Sequence, residues 1–114
     1  MTDIVPYAFV LEYLHPVKPR VVKMLGGFAL KLDQKMIMFL RNRDDHPEFN
    51  GVFVATHPAF FRELQKEIHT SRMEFDLDGS YDSWIFISED LDDFDAKVKT
   101  ACELVKNDDM RIGK

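Results

Sequence analysis

Residues 23–40 read KMLGGFALKLDQKMIMFL, and the fold turns on what the glycine pair does there. Phe28, Leu30 and Leu32 alternate with Ala29 and Lys31, which predicts a strand with one apolar side. Asp33 and Gln34 supply a turn, and residues 36–40 return as the partner strand. That second strand is apolar at every position, so it predicts burial on both faces: a central place in a sheet, or a surface hidden between copies. A phosphate cradle needs glycines in a loop that opens onto a helix N-terminus. Here a strand follows, and Gly26 and Gly27 fit neither the GxGxxG nor the Walker spacing. The glycines are therefore read as relief of backbone crowding, or as a bulge, where the strand begins.

Outward from the hairpin, residues 5–14 are apolar nearly all round and suit a short helix with Pro6 in its first turn, ended by Pro16 and Pro19. Residues 41–51 are rich in turn formers, and VFVAT after them is a third strand. Thr56 or His57 then caps a helix carrying Phe60, Phe61, Leu64 and Ile68 at three-to-four spacing. A second hairpin alternates Met73, Phe75 and Leu77, turns at Asp78 and Gly79, and resumes at Trp84. Asp90 caps a last helix, with Asp92 and Asp93 in its first turn and a stripe of Leu91, Phe94, Val98, Ala101, Cys102 and Val105. The predicted order is α-β-β-β-α-β-β-α: one α+β domain over residues 1–114, largely antiparallel, with residues 108–114 expected to fray.

The chain has 114 residues, 46% of them hydrophobic, enough to bury one core without staples or metals. Cys102 is the sole cysteine, so no intrachain disulfide can form and a reducing, cytoplasmic setting is expected. The N-terminal stretch has no basic leader region and no apolar run of membrane length, so no membrane partner is expected. Net charge is −5, but residues 1–43 carry net +4 and residues 73–114 net −7. The acidic total disfavours broad attraction to nucleic acid.

No constellation of catalytic or ligating residues stands out. DLDGSYD places Asp76, Asp78 and Asp82 near a glycine, but a calcium loop needs a bidentate carboxylate at its twelfth position, and neither Ile87, which falls there, nor the neighbouring Ser88 supplies one. DDHPE in the long loop and four scattered histidines lack metal-ligand spacing. Cys102 falls on a helix stripe that buries it. No cofactor, no metal and no enzyme activity are expected. The surface feature with functional promise is basic: Lys18, Arg20, Lys23, Lys31, Lys35, Arg41 and Arg43 all lie in or near the first hairpin. The candidate interaction surface combines Lys23, Lys31, Lys35, Arg41 and Arg43 with His46 and Phe49 of the adjoining loop.

LEYLHPVKPRVVKMLGGFALKLDQKMIMFL resembles the opening of the TfoX N-terminal domain family, on Met24, Gly26, Gly27, Phe28, Asp33, Lys35 and Met36. Leu25 and Ala29 depart from the family's usual Phe and Gly. HPAFFREL, DSWIFIS with Trp84, and ACELV are similar to the related MmcQ/YjbR-like domains. The resemblance spans nearly the whole chain and rests on packing motifs. It implies a YjbR-like, secretion-chaperone-like arrangement and a regulatory, non-enzymatic interaction domain whose partner is a protein, with a homodimer as an open alternative. TfoX-like proteins often act through a second, helical C-terminal domain, and no such domain is expected within these 114 residues. Two rival readings stand beside this one: a nucleic-acid-binding module using the same basic hairpin, and a small-molecule site or enzyme with Trp84, Phe49 and Tyr81 as aromatic walls and His57 as a titratable group.

Overall fold

Five antiparallel strands in the order β1-β2-β3-β4-β5 form one meandering sheet in a computed structural model of the chain, which describes residues 4–70 and 83–114. The elements are α1 (Phe9–Leu14), β1 (Arg20–Met24), β2 (Gly27–Leu32), β3 (Lys35–Arg41), β4 (Gly51–Ala55), α2 (Phe61–Ile68), β5 (Trp84–Ser88) and α3 (Phe94–Lys106). The α+β class and the predicted hairpin around Asp33 and Gln34 are both present. The order differs in one respect: a strand, β1, precedes the glycines. The strand expected at Met73–Leu77, with its turn and the DLDGSYD loop, lies outside the described residues.

The extra strand changes the role of the glycine pair. Met24 pairs with Gly27, which leaves Leu25 (φ 52°) and Gly26 (φ 76°) as a two-residue turn with both φ values positive. That geometry matches the right-handed twist of a hairpin and favours glycine. A side chain at Gly26 would meet the Arg43 guanidinium, and a Cβ at Gly27 would come within 2.5 Å of the Leu40 carbonyl oxygen and the Phe39 ring. The pair serves close packing at a turn.

Burial on both faces of β3 follows from two apolar layers. On one face Leu30, Met38, Leu40, Val52, Val54, Ile85 and Ile87 meet the apolar sides of all three helices, through residues such as Val10, Leu14, Leu64, Ile68, Val98 and Cys102. On the other, Ala29, Phe39, Phe53, Ala55 and Trp84 form a second cluster, edged by Met24, Met36 and Phe86. Phe53 packs against Phe86 with ring centroids 4.7 Å apart and meets Phe39 edge-on at 6.0 Å. A β-bulge makes the division work. Leu30 pairs with Met38 and Lys31 with Met36, so Ile37 is the extra residue and joins Met38 on the helix side.

Helix boundaries are shorter than the sequence predicts. The first helix begins at Phe9, because Tyr7 sits at φ 54° and breaks the right-handed path that Pro6 would have opened. Pro58–Phe60 form a 3-10 turn ahead of α2, with His57 extended and making no side-chain cap. The last helix starts at Phe94 with Asp93 at its cap position and no side-chain cap bond. The Asp90 backbone N–H instead donates to the Ser88 hydroxyl oxygen, and Leu91 is 38% exposed, outside the buried stripe.

The C-terminal segment is tied down where fraying was expected. Thr56 bridges Ile112, the Gly113 N–H donates to the Ala55 carbonyl at 2.8 Å, and Met36 and Lys114 exchange backbone bonds of 3.0 and 3.1 Å. Arg111 anchors the segment further, donating to Asp109, Glu63 and Glu67. Apart from Asp109, these partners are distant in sequence, and local polarity gives no sign of them.

Candidate functional site

The structure divides the predicted basic surface between two ends of the sheet. Strands of six or seven residues at about 3.3 Å per residue put these ends roughly 20 Å apart. At the glycine-turn end, Arg41 is 6% exposed and is spent on holding the β3–β4 loop. It donates to Asn50 Oδ1 at 2.8 Å, to the His46 carbonyl at 3.0 Å and to the Asp45 carbonyl at 2.9 Å. Arg41 is thus a buried clamp and not part of an interaction surface. Arg43 is exposed and donates to Asp45 Oδ1 at 2.7 Å, which holds the Asp45 carboxyl below the usual carboxylate range. His46 and Phe49 lie in the same loop with ring centroids 6.1 Å apart.

At the other end a row of cations crosses the sheet. Arg20 stands directly opposite Lys31, and Lys31 directly opposite Met36. Met36 and Lys114 form a reciprocal hydrogen-bonded pair. Paired residues share a face. Met36 edges the aromatic cluster, and the Lys114 ammonium lies 4.5 Å from the centre of the Trp84 ring. The row Arg20, Lys31, Met36, Lys114 therefore runs along the aromatic face, about 15 Å long at the usual spacing between strands. Lys35 borders the turn beside it. Among the described residues no ion pair engages Arg20, Lys31 or Lys35. Lys23, three residues from Arg20, falls on the opposite side of β1.

Three positive charges in one row raise the local potential, and Arg20 and Lys31 disfavour each other, because like charges on directly opposed residues cost stability. Such a row suits carboxylates or phosphates spaced about 5 to 10 Å apart along an extended ligand. Lys114 also gains from the ring beneath it. Trp84 Nε1 is buried without a hydrogen-bond partner among the described residues, and the cation rests on the face of that indole. Sequence reasoning noted Arg20 as basic but left it outside the candidate set. It missed Lys114 because nothing local signals the pairing with Met36.

The proposed aromatic pocket does not assemble. Trp84 is 1% exposed within the second cluster, while Phe49 lies beyond the opposite end of β4 from the Ala55–Trp84 pair. His57 is exposed next to the 3-10 turn, and Tyr81 lies outside the described residues. Cys102 is buried, its thiol 3.9 Å from the Val10 carbonyl oxygen. Desolvation pushes that thiol up to about 12. Among the described residues no three His, Cys, Asp or Glu side chains converge on a metal-sized site, and no helix is long and apolar enough to cross a membrane.

Comparison with known proteins gives one partial likeness. No family model matches the chain, and no solved structure matches it. A stretch of 98 residues, 86% of the chain, is 31% identical to a segment of the valine–tRNA ligase of Lactobacillus johnsonii. The chain spans about 11% of that ligase's length.

Proposed function

We propose that this chain is a non-enzymatic, cytoplasmic interaction domain of TfoX-like and YjbR-like type, and that it docks an acidic segment of a partner protein on the row formed by Arg20, Lys31 and Lys114. The observation that carries this reading is the placement of these cations on one face with Arg20 directly opposite Lys31. A sequence under selection for stability alone has no reason to keep like charges opposed. The resemblance around Met24, Gly26, Gly27 and Phe28 supports the family. The protein's net charge of −5 favours a short acidic peptide, which meets only the basic row, over a long polyanion that also meets the acidic remainder.

The test is binding of a fluorescent peptide of alternating Glu and Ser residues to the wild-type protein and to the double variant Arg20→Glu, Lys31→Glu, joined to capture of partners from cells with both proteins. Affinity should fall at least tenfold in the variant, and the specific captured protein should be lost. If charge reversal leaves every captured partner bound, the row is not the docking surface.

A second reading has its own support. The matched relative is by name a tRNA ligase, and the same row could contact RNA phosphates. Titration of labelled RNA across salt concentrations decides it. Three cations on phosphates give a slope of roughly −2 to −3 in log affinity against log salt, while a flat, weak response at low salt removes this reading.

A further inference from the structure

A cavity of about 380 Å³ opens on the helix side of the sheet, between the β2–β3 turn, the end of α3 and the C-terminal segment. Its floor is apolar, built from Leu32, Ile37, Val105 and Ile112. Asp33 and Asp108 stand on its rim, and neither takes part in an ion pair among the described residues. The size lies within the range of small-ligand pockets, and the combination of an apolar floor with few polar groups is their usual make-up.

The rim is more negative than the fold requires. The helix α3 ends in a Schellman arrangement, with the Asp108 N–H bonded to the Val105 carbonyl and the Asp109 N–H to the Leu104 carbonyl, each at 3.0 Å. Asp108 occupies the left-handed position at φ 56°, where glycine or asparagine serves the backbone equally well. An aspartate there sets a negative charge at the negative pole of the helix, where cations are favoured. Asp33 repeats the pattern in the β2–β3 turn at φ 55°. Asp109 is offset by Arg111, which donates to it at 2.6 and 2.9 Å. Lys35 also lines the cavity and opposes this field in part.

We propose that this cavity binds a small amphipathic organic cation, its alkyl or aryl part on Leu32, Ile37, Val105 and Ile112 and its ammonium group beside Asp33 and Asp108. Charge complementarity selects the head group, and the floor selects the tail. This site lies on the helix side, whereas the basic row faces the aromatic layer, so either one stands or falls without the other.

The probes are hexylammonium, hexanol and hexanoate, titrated against isotope-labelled full-length protein with the methyl resonances of Val105, Met110 and Ile112 followed by NMR. Hexylammonium should shift these signals and bind about tenfold more tightly than hexanol, each carboxylate contributing up to roughly fivefold as an exposed ion pair does. Hexanoate should bind more weakly than either. The double variant Asp33→Asn, Asp108→Asn keeps residues that tolerate the left-handed conformation, so it should fold and bind hexylammonium only as well as hexanol. Lys35→Gln should strengthen hexylammonium binding. If hexanoate matches hexylammonium, if the double variant keeps full affinity for the cation, or if no probe moves these methyl groups, the proposal is overturned.

Discussion

Arg20 and Lys31 face each other across the first hairpin, a like-charged pair on directly opposed strand positions with no acidic residue bonded to either among the described residues. An arrangement of this kind costs stability wherever it is not repaid by binding.

Replacing one partner should therefore separate stability from function. Lys31→Glu turns a repulsive pair into an attractive one, worth about 1 kcal/mol, which for a chain of this size raises the melting midpoint by roughly 4 °C. The same change should weaken the acidic peptide severalfold. Thermal unfolding followed by circular dichroism, alongside the peptide titration, checks both. A variant that loses stability would mean that Lys31 is held by an interaction its pairing does not reveal.

Arg41 and Arg43 are two residues apart and should respond very differently. Arg41→Met removes a buried guanidinium and leaves the carbonyls of Asp45 and His46 without their donor, a loss of about 3 kcal/mol. Arg43→Ala breaks an exposed pair with Asp45 and should leave stability nearly unchanged. Urea titration of the two variants measures the contrast directly. Equal effects would contradict the clamp role assigned to Arg41.

This contrast also shows where sequence reasoning reaches its limit. The alternation of Phe28, Leu30 and Leu32 and the unbroken apolar run of β3 report what each strand touches, so the hairpin and its two-sided burial are legible from one segment. The strand at Arg20–Met24 is not, because its exposed, charged residues resemble a link between Pro19 and the glycines, and only pairing with β2 makes it a strand. Nothing near Arg41 marks it as the buried member of the pair. Its fate is set by Asn50, which accepts from both Arg41 and the Arg43 N–H. The row of cations was hidden for the same reason, since it exists only once Met36 pairs with Lys31 on one side and Lys114 on the other.

Arg111 is the fastener of the C-terminal segment, and its loss should release Lys114 from Trp84. Arg111→Ala removes bonds to Glu63, Glu67 and Asp109. The Gly113 and Lys114 amides, now bonded to Ala55 and Met36, should exchange with solvent at least tenfold faster, as local opening becomes easier. Trp84 emission should change in step, because the ammonium above the ring moves away. Acid should act through the same contact. Arg111 holds the Asp109 carboxyl below its usual value, so the stability it contributes is present at neutral pH and is lost as pH falls through that lowered value. Unchanged exchange at Gly113 in the variant would show that the backbone bonds hold the segment alone.

Cys102 should make the protein sensitive to base. Its thiol ionises near 9 when unfolded and only at about 12 in the fold, because burial disfavours the thiolate. Above pH 9 the unfolded chain gives up this proton while the native state keeps it, so the native state binds more protons and stability falls as pH rises. The loss runs from about pH 9 to about 12 and amounts to about 4 kcal/mol at its end. Tyr7, whose hydroxyl is raised by burial and by its bond to Glu89, acts in the same direction at still higher pH. The measurement is urea unfolding between pH 8 and 11 for the wild type and for Cys102→Ala. The wild type should lose stability steeply over this range and the variant less so, with the difference growing by about 1.4 kcal/mol per pH unit above 9. In the native state at pH 8 the thiol should also resist a disulfide reagent until the chain unfolds. Rapid labelling under native conditions, or parallel curves for the two proteins, would place Cys102 in contact with solvent and remove it from the core.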